Sequence, residues 1–213
     1  MNIIVIIIIA ITCIISYFAL NNSAVFEKYK FNVGAIQNRK EYVRLISSGF
    51  LHADFMHLFF NMFSLYMFQG TVMHFFGGIG FLMIYFGSMI LGNLFSLLIY
   101  KKQPWYSAIG ASGAVSGIIF AAIAMVPNTG VNFLPGWIFG TLYFGYSVYM
   151  MLNPKQCDNL GHAAHLGGAF FGLVYAVANY PEAALDNSLY IGIMSLPLLY
   201  LSYEIFIKKR TSF

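Results

Sequence analysis

Charged side chains are scarce in this chain, and their scarcity excludes most soluble folds. Only 8% of the 213 residues are charged, whereas 60% are hydrophobic. In a typical soluble domain about a quarter of the residues are charged and about half are apolar. This chain has too few polar side chains to cover a surface in water, so we expect an integral membrane protein.

Cysteine and clustered basic residues are also rare. The two cysteines, Cys13 and Cys157, are too few for a disulfide framework. The net charge is only +4, and no basic cluster lies on a polar domain, so nucleic acid is not an expected partner.

Seven apolar segments follow one another along the chain. They lie near residues 3–20, 55–72, 79–100, 111–126, 133–152, 162–179 and 188–207. Most are long enough to cross roughly 30 Å of hydrocarbon as helices. The first has no basic n-region and no small-x-small cleavage site, which favours a helix over a signal peptide. The expected fold is therefore an all-α, polytopic membrane bundle. The sequence shows no internal repeat, so it does not support the inverted-repeat architecture of many transporters.

The fourth segment is short and begins near a serine. Its sixteen residues rise only about 24 Å, so Ser112 is expected below the membrane surface. Non-helical backbone at that depth needs surrounding protein or a water-filled cavity, and hydrolysis in a bilayer needs such a cavity. The first N–H groups of the helix, near Ser112 and Gly113, lack intrahelical partners and can face a developing oxyanion.

Small residues on the fourth and sixth segments predict that the two helices pack closely. Gly113 and Gly117 are four residues apart, and one face of the sixth segment carries Gly161, His165, Gly168 and Gly172. Such spacing lets membrane helices approach each other closely. We therefore expect His165 to reach Ser112.

The distribution of acidic residues limits the available mechanism. No Asp or Glu occurs between Asp54 and Asp158, and Asp158 lies in the loop before His165. A Ser-His dyad, with His165 as general base and then general acid, is more economical than a triad that includes Asp158.

A third cluster lies at the start of the second segment. His57 and Asn61 are four residues apart and share a helical face. Two neutral hydrogen-bond donors on one face suit an oxyanion hole. Alternatively, Asn61 joins helices by hydrogen bonding and His57 is an interfacial residue.

Together these residues resemble the rhomboid intramembrane serine proteases. The resemblance rests on Arg44 in the first loop, His57-x-x-x-Asn61, Gly110-x-Ser112-Gly113 and Ala164-His165-x-x-Gly168. It implies a six-helix catalytic core over residues 1–180, followed over residues 181–213 by a linker, a seventh helix and a short basic tail.

The same resemblance implies the roles of the site residues. Ser112 would be the nucleophile and His165 the base. His57, Asn61 and the Ser112 backbone would form the oxyanion hole, with support from Arg44, Gly110, Gly113 and Gly168. The family cleaves transmembrane or membrane-edge segments of other proteins without a cofactor or metal.

Two positions need separate comment. Some members carry, four positions after the serine, an aromatic residue that packs on the histidine, whereas this chain has Ser116 there. His162 shares a helical face with His165, but the motif selects His165 as the base. His162 is then expected to have a supporting or structural role.

Two other functions remain open. A membrane metallohydrolase could use the histidine and carboxylate cluster formed by His52, Asp54, His57, His162 and His165. However, no His-Glu-x-x-His motif is present, and this alternative leaves Ser112 unexplained. A non-catalytic rhomboid-like protein that binds membrane proteins would typically lack the serine or the histidine.

The basic residues give conflicting indications of orientation. All 11 Lys and Arg fall in the loops after segments one, three and five or in the C-terminal tail, on the Ser112 side. The positive-inside rule places that side in the cytoplasm, whereas the resemblance places it outside. The lack of an Arg/Ser-rich leader favours a bacterial plasma membrane.

Overall fold

A computed structural model describes residues 2–131, 133–153 and 161–208 of the chain. Its longer helices are α1 (Ile3–Leu20), α5 (Phe55–Ile99), α6 (Ser112–Met125), α7 (Gly136–Leu152), α8 (His162–Asn179) and α10 (Ser188–Ser202). Its shorter helical elements are α2 (Ser23–Tyr29), α3 (Val33–Arg39), α4 (Arg44–Ser47), a 3₁₀ turn (Ser48–Phe50), α9 (Pro181–Asp186) and a π-helical turn (Tyr203–Ile207).

Two short antiparallel ribbons complete the described fold. One pairs β1 (Phe31–Asn32) with β2 (Ser107–Ala108), and the other pairs β3 (Gly130–Val131) with β4 (Leu134–Pro135). The first ribbon joins the loop after α1 to the loop before α6. It therefore fixes the chain that leads into Ser112.

Within the described residues, three helical runs are long and apolar enough to cross a membrane: Ile3–Leu20, Phe55–Ile99 and Ser188–Ile205. The 45-residue α5 is about twice the length that one crossing needs. Gly77 has φ 63° and ψ −172°, which breaks the helix into two arms. The second arm returns to the starting side, because Asn93 donates to the carbonyl of Leu45, shortly before α5 begins.

Helix α6 lies at the centre of the bundle. Every residue from 113 to 125 is buried. The most extensive packing between elements is among α5, α6 and α8. The helix has 14 residues and rises about 21 Å, which is shorter than the roughly 30 Å of hydrocarbon in a typical bilayer.

Glycines set the distance between α6 and α8. A methyl group on Gly168 would lie 2.1 Å from the carbonyl oxygen of Gly113, and one on Gly172 would lie 2.1 Å from that of Gly117. Backbone oxygens cannot yield to such a contact as a flexible side chain can. The two helices therefore touch backbone to backbone, which requires glycine at both positions.

The loop after α1 is folded around a buried arginine. Arg44, only 4% exposed, donates to the Glu41 carboxylate at 2.6 Å and to the carbonyls of Glu27 and Lys30 at 2.9 and 2.7 Å. Hydrogen bonds from Arg39 and Arg44 lower the pKa of Glu41 to about 2. The ion pair thus stays charged at neutral pH and holds α2, α3 and α4 together.

The structure confirms the all-helical membrane class and refines several expected segments. The first and sixth segments match α1 and α8 at both ends. The second and third form one helical run with a break at Gly77, because the apolar residues continue through the predicted gap at 73–78. The short helices α2, α3, α4 and α9 were not predicted, since elements of four to seven residues carry too little periodicity.

Candidate active site

Ser112 is the first residue of α6, and the loop before it is held in an unusual conformation. Gly110 has φ +112°, a backbone conformation that side chains disfavour. Its N–H donates to the carbonyl of Ser48 at 3.0 Å, which ties the loop to the 3₁₀ turn of the first loop. The Ser112 side chain is half-buried at the start of α6.

His165 lies in the first turn of α8 and faces Ser112. The Nε2 atom of His165 is 2.6 Å from the Ser112 hydroxyl oxygen, which is hydrogen-bond distance. The residues next to this pair are also close, because a methyl group on Gly113 would be 3.2 Å from the carbonyl oxygen of Ala164. The glycine packing of α6 against α8 thus brings serine and histidine together.

His162 occupies a different position. Its ring is buried and packs edge-on against Tyr146 of α7, with ring centroids 5.6 Å apart. It also approaches the His165 ring edge-on at 6.2 Å. His165, not His162, is within hydrogen-bond distance of Ser112.

His57 is on the same side of Gly110 as the serine hydroxyl. A methyl group built on Gly110 would be 2.8 Å from His57 Nε2 and 3.7 Å from Ser112 Oγ. The Ala53 N–H donates to His57 Nδ1 at 3.4 Å. With Nδ1 as acceptor, the proton of a neutral imidazole resides on Nε2, which is then a donor toward the serine.

Asn61 lies one turn after His57 and is 6% exposed. One N–H of its side-chain amide donates to the His57 carbonyl at 2.9 Å. The amide nitrogen carries a second hydrogen that can serve another acceptor. The backbone N–H groups at the start of α6 are further donors at the same end of the bundle.

His52 contacts the loop that leads into Ser112, and the sequence did not predict this contact. It is fully buried, with Nδ1 2.8 Å from the Ser16 hydroxyl of α1, and Ser16 donates to the carbonyl of Phe50. The Ala111 N–H, next to Ser112, donates to His52 Nε2 at 3.3 Å. Only a neutral imidazole with its proton on Nδ1 satisfies all these partners.

The environment of His52 agrees with the neutral form. Burial, together with the nearby His57 and against the opposing effect of Asp54, lowers the pKa of His52 to about 3. The His52 ring also packs edge-on against the His57 ring at 4.9 Å. His52 therefore connects α1 to the backbone just before Ser112.

A small cavity of about 10 Å³ lies beside the serine. It is lined by Ser48, Met89, Asn93, Ala108, Ile109, Gly110, Ser112, Gly113, Gly161 and Ala164. This volume is close to the minimum that one water molecule needs, and several of the lining groups are polar.

Two residues considered from the sequence, Cys157 and Asp158, lie outside the described residues. Among the residues that are described, no three His, Cys, Asp or Glu side chains converge as metal ligands would. The described geometry thus offers a hydroxyl next to an imidazole, with the neutral His57 ring close to the same hydroxyl. This arrangement suits nucleophilic acyl transfer.

Comparison with known proteins identifies similar chains. The rhomboid domain model matches residues 39–182. The chain is 37% identical over 145 residues to the putative rhomboid protease YdcA of Bacillus subtilis. The aligned region covers 68% of this chain and 69% of that protein.

Two mitochondrial proteins are also similar. The chain is 30% identical over 149 residues to the yeast Saccharomyces cerevisiae protein "Rhomboid protein 1, mitochondrial", covering 64% of this chain and 43% of that one. It is 29% identical over 140 residues to the mitochondrial presenilin-associated rhomboid-like protein of Mus musculus. This alignment covers 62% of this chain and 36% of that protein. The chain thus spans less than half the length of these two relatives.

The neutral state of His52 predicts a pH-dependent stability. An unfolded histidine binds a proton below about pH 6.5, whereas folded His52 resists protonation until about pH 3. The free energy of unfolding should therefore fall as the pH drops through this range, by at most about 1.4 kcal/mol per pH unit from this residue. Thermal unfolding of the detergent-solubilised protein at several pH values measures this dependence.

The control separates His52 from the other histidines. His52→Gln should make the dependence of Tm on pH shallower between about 6.5 and 3, even if its Tm is lower throughout. His74→Gln, which changes an exposed histidine in α5, is the parallel control for the substitution itself. Equal slopes for wild type and His52→Gln would show that His52 is not held neutral by the fold.

Proposed function

The chain belongs to the rhomboid family, and we propose that it is an intramembrane serine endopeptidase with a Ser112–His165 dyad. The observation that supports this most is the 2.6 Å separation between His165 Nε2 and the Ser112 hydroxyl. A serine and a histidine in contact inside an apolar bundle are costly unless they are used.

The proposed reaction proceeds by acyl transfer. The Ser112 hydroxyl oxygen attacks the scissile carbonyl while His165 Nε2 accepts the hydroxyl proton. His165 then gives this proton to the departing amine as the peptide C–N bond breaks. Water repeats the sequence on the acyl-enzyme, which releases the new carboxyl terminus and restores Ser112.

We propose that the negative charge on the tetrahedral intermediate is stabilised by neutral donors. The Nε2–H of His57, the side-chain amide of Asn61 and the backbone N–H of Ser112 are the candidates. The Ala53–His57 hydrogen bond and the placement of His57 beside Gly110 support a donor role for this imidazole. Donors fixed before the reaction stabilise the transition state without reorganising during it.

We propose a six-plus-one architecture for the spans. Residues 1–180 would form the six-helix catalytic core, and residues 181–213 would supply a linker and the seventh helix, α10. Substrates would be transmembrane or membrane-edge segments of other membrane proteins, met within the bilayer. The chemistry of the dyad needs no cofactor.

We propose that the protein resides in a bacterial plasma membrane with Ser112 on the outer side. The basic residues of the first loop lie in a folded unit, where Arg44 is buried and Lys30 pairs with Glu27. Because these charges are held within a folded loop, we take the orientation from the family resemblance rather than from the positive-inside rule.

Reporter fusions after Asn128 and after Phe213 test this orientation. A reporter that is active only in the cytoplasm should work after Asn128 and fail after Phe213. The opposite result would place the active site in the cytoplasm and restrict the substrates to those accessible from that side.

Removal of either member of the dyad should abolish cleavage. Ser112→Ala and His165→Ala should each reduce kcat on a single-pass membrane substrate to background, and the double variant should be no worse, because the two residues act as one unit. All three should remain folded, since alanine suits the small-residue contact between α6 and α8. Cleavage assays in detergent, together with thermal unfolding, measure both properties.

A matched control on the same helix is His162→Ala, which should keep measurable activity. Activity should also resist chelators, which would inhibit a metallohydrolase. Substantial cleavage by folded Ser112→Ala would falsify the serine-protease proposal, and exchanged behaviour of the two histidines would make His162 the base.

The donors to the oxyanion should affect turnover more than substrate binding. Loss of one such donor typically costs about 10²–10³ in rate where the geometry is well organised. We expect less from Asn61→Ala, because two other donors remain, more from His57→Ala, and most from the double variant. The measurement is kcat and KM for the three variants on one substrate.

Labelling with a small fluorophosphonate provides the control for an intact dyad. All three variants should still label slowly at Ser112. If they kept the wild-type kcat and only KM rose, His57 and Asn61 would bind substrate or pack the helix. The Ser112–His165 proposal would then stand without them.

A further inference from the structure

The catalytic histidine has an aromatic neighbour on a third helix. Tyr143 of α7 stacks on His165, with ring centroids 6.1 Å apart and ring planes inclined by 28°. Aromatic rings at such separations attract each other in offset-stacked arrangements. The contact limits the directions in which the imidazole of His165 can turn away from Ser112.

The Tyr143 ring is itself anchored to the helix that carries the nucleophile. The hydroxyl oxygen of Tyr143 is 2.7 Å from that of Ser116, which is 3% exposed and lies one turn after Ser112. The same ring contacts Phe120 and Phe139, at centroid separations of 5.6 and 5.8 Å. A hydrogen bond at one end and aromatic packing around the ring leave Tyr143 little freedom to move.

We propose that Tyr143 is a positioning residue for His165 and that Ser116 fixes Tyr143 in place. This inference rests on the proposed protease function. The chain of contacts runs from Ser116 on α6 through Tyr143 on α7 to His165 on α8. It closes a ring of three helices around the 2.6 Å contact between His165 and Ser112.

One substitution removes the aromatic ring of Tyr143, and others remove only its hydrogen bond to Ser116. Comparing them separates the role of the ring on His165 from the role of Ser116 in holding the ring. Tyr143→Ala should lower kcat roughly tenfold, equivalent to about 1.4 kcal/mol in the barrier, with KM within about twofold of wild type. Tyr143→Phe keeps the ring and should lower kcat only about threefold. Ser116→Ala should match Tyr143→Phe, and combining the two should add nothing, because both remove the same hydrogen bond.

The matched control is Tyr146→Ala, one turn along α7. Tyr146 packs on His162 rather than on His165. This variant should keep kcat within about twofold of wild type. Equal losses of kcat in Tyr143→Ala and Tyr146→Ala would overturn the proposal, because the effect would then come from general weakening of α7.

The rate of fluorophosphonate labelling shows whether Tyr143 positions His165 or instead shapes the path of the substrate. Fluorophosphonate labelling of Ser112 should slow in Tyr143→Ala by about the same factor as kcat. An unchanged labelling rate with a raised KM would mean that Tyr143 shapes the substrate path, and would overturn the inference.

The ring proton signals of His165, assigned by comparison with His165→Gln, report the contact without any activity. They should shift in Tyr143→Ala and change little in Tyr143→Phe, because only the first removes the ring current. Unshifted signals in Tyr143→Ala would refute the stacking contact. Shifted signals in a protein that neither labels nor cleaves would uphold the contact and refute the protease.

Discussion

The backbone contact between α6 and α8 is the constraint on which the rest of the site depends. Gly168 and Gly172 lie against the carbonyls of Gly113 and Gly117, with no room for a methyl group. Without a hydrophobic force between helices in lipid, association relies on close packing of this kind. The same contact aligns the first turns of the two helices, and each first turn carries one member of the Ser112–His165 pair.

The folded loop between α1 and α5 fixes the backbone just before Ser112, which the contact between α6 and α8 does not hold. The backbone before Ser112 is bonded at two consecutive residues, from Gly110 to the Ser48 carbonyl and from Ala111 to His52. Both acceptors belong to the region between α1 and α5, which the buried Arg44 holds in shape. The oxyanion candidates begin only a few residues later, so nucleophile and donors share one scaffold.

The sequence predicts the long helices well but not the long-range contacts of the site, for physical reasons. Long apolar runs and glycine spacing are strong local signals, and the bounds of α1 and α8 agree with them. Ser116 was noted as a departure from the family pattern. Its partner Tyr143 was not found, because one aromatic residue on an apolar helix resembles ordinary lipid-facing or core packing. The contacts of His52 could not be predicted for a similar reason, since its partners Ser16 and Ala111 are 36 and 59 residues away.

The most direct test of this account is the rate at which a fluorophosphonate modifies Ser112 when the α6–α8 contact is forced apart. Mass spectrometry locates the adduct in wild type, in Gly168→Ala and in Gly192→Ala, where a methyl group meets nothing within 4 Å. Wild type and Gly192→Ala should label at Ser112 at the same rate. Folded Gly168→Ala should label up to about a hundredfold more slowly, since a misplacement of 1 Å can cost that much. Labelling of folded Gly168→Ala at the wild-type rate would contradict the claim that this contact assembles the active site.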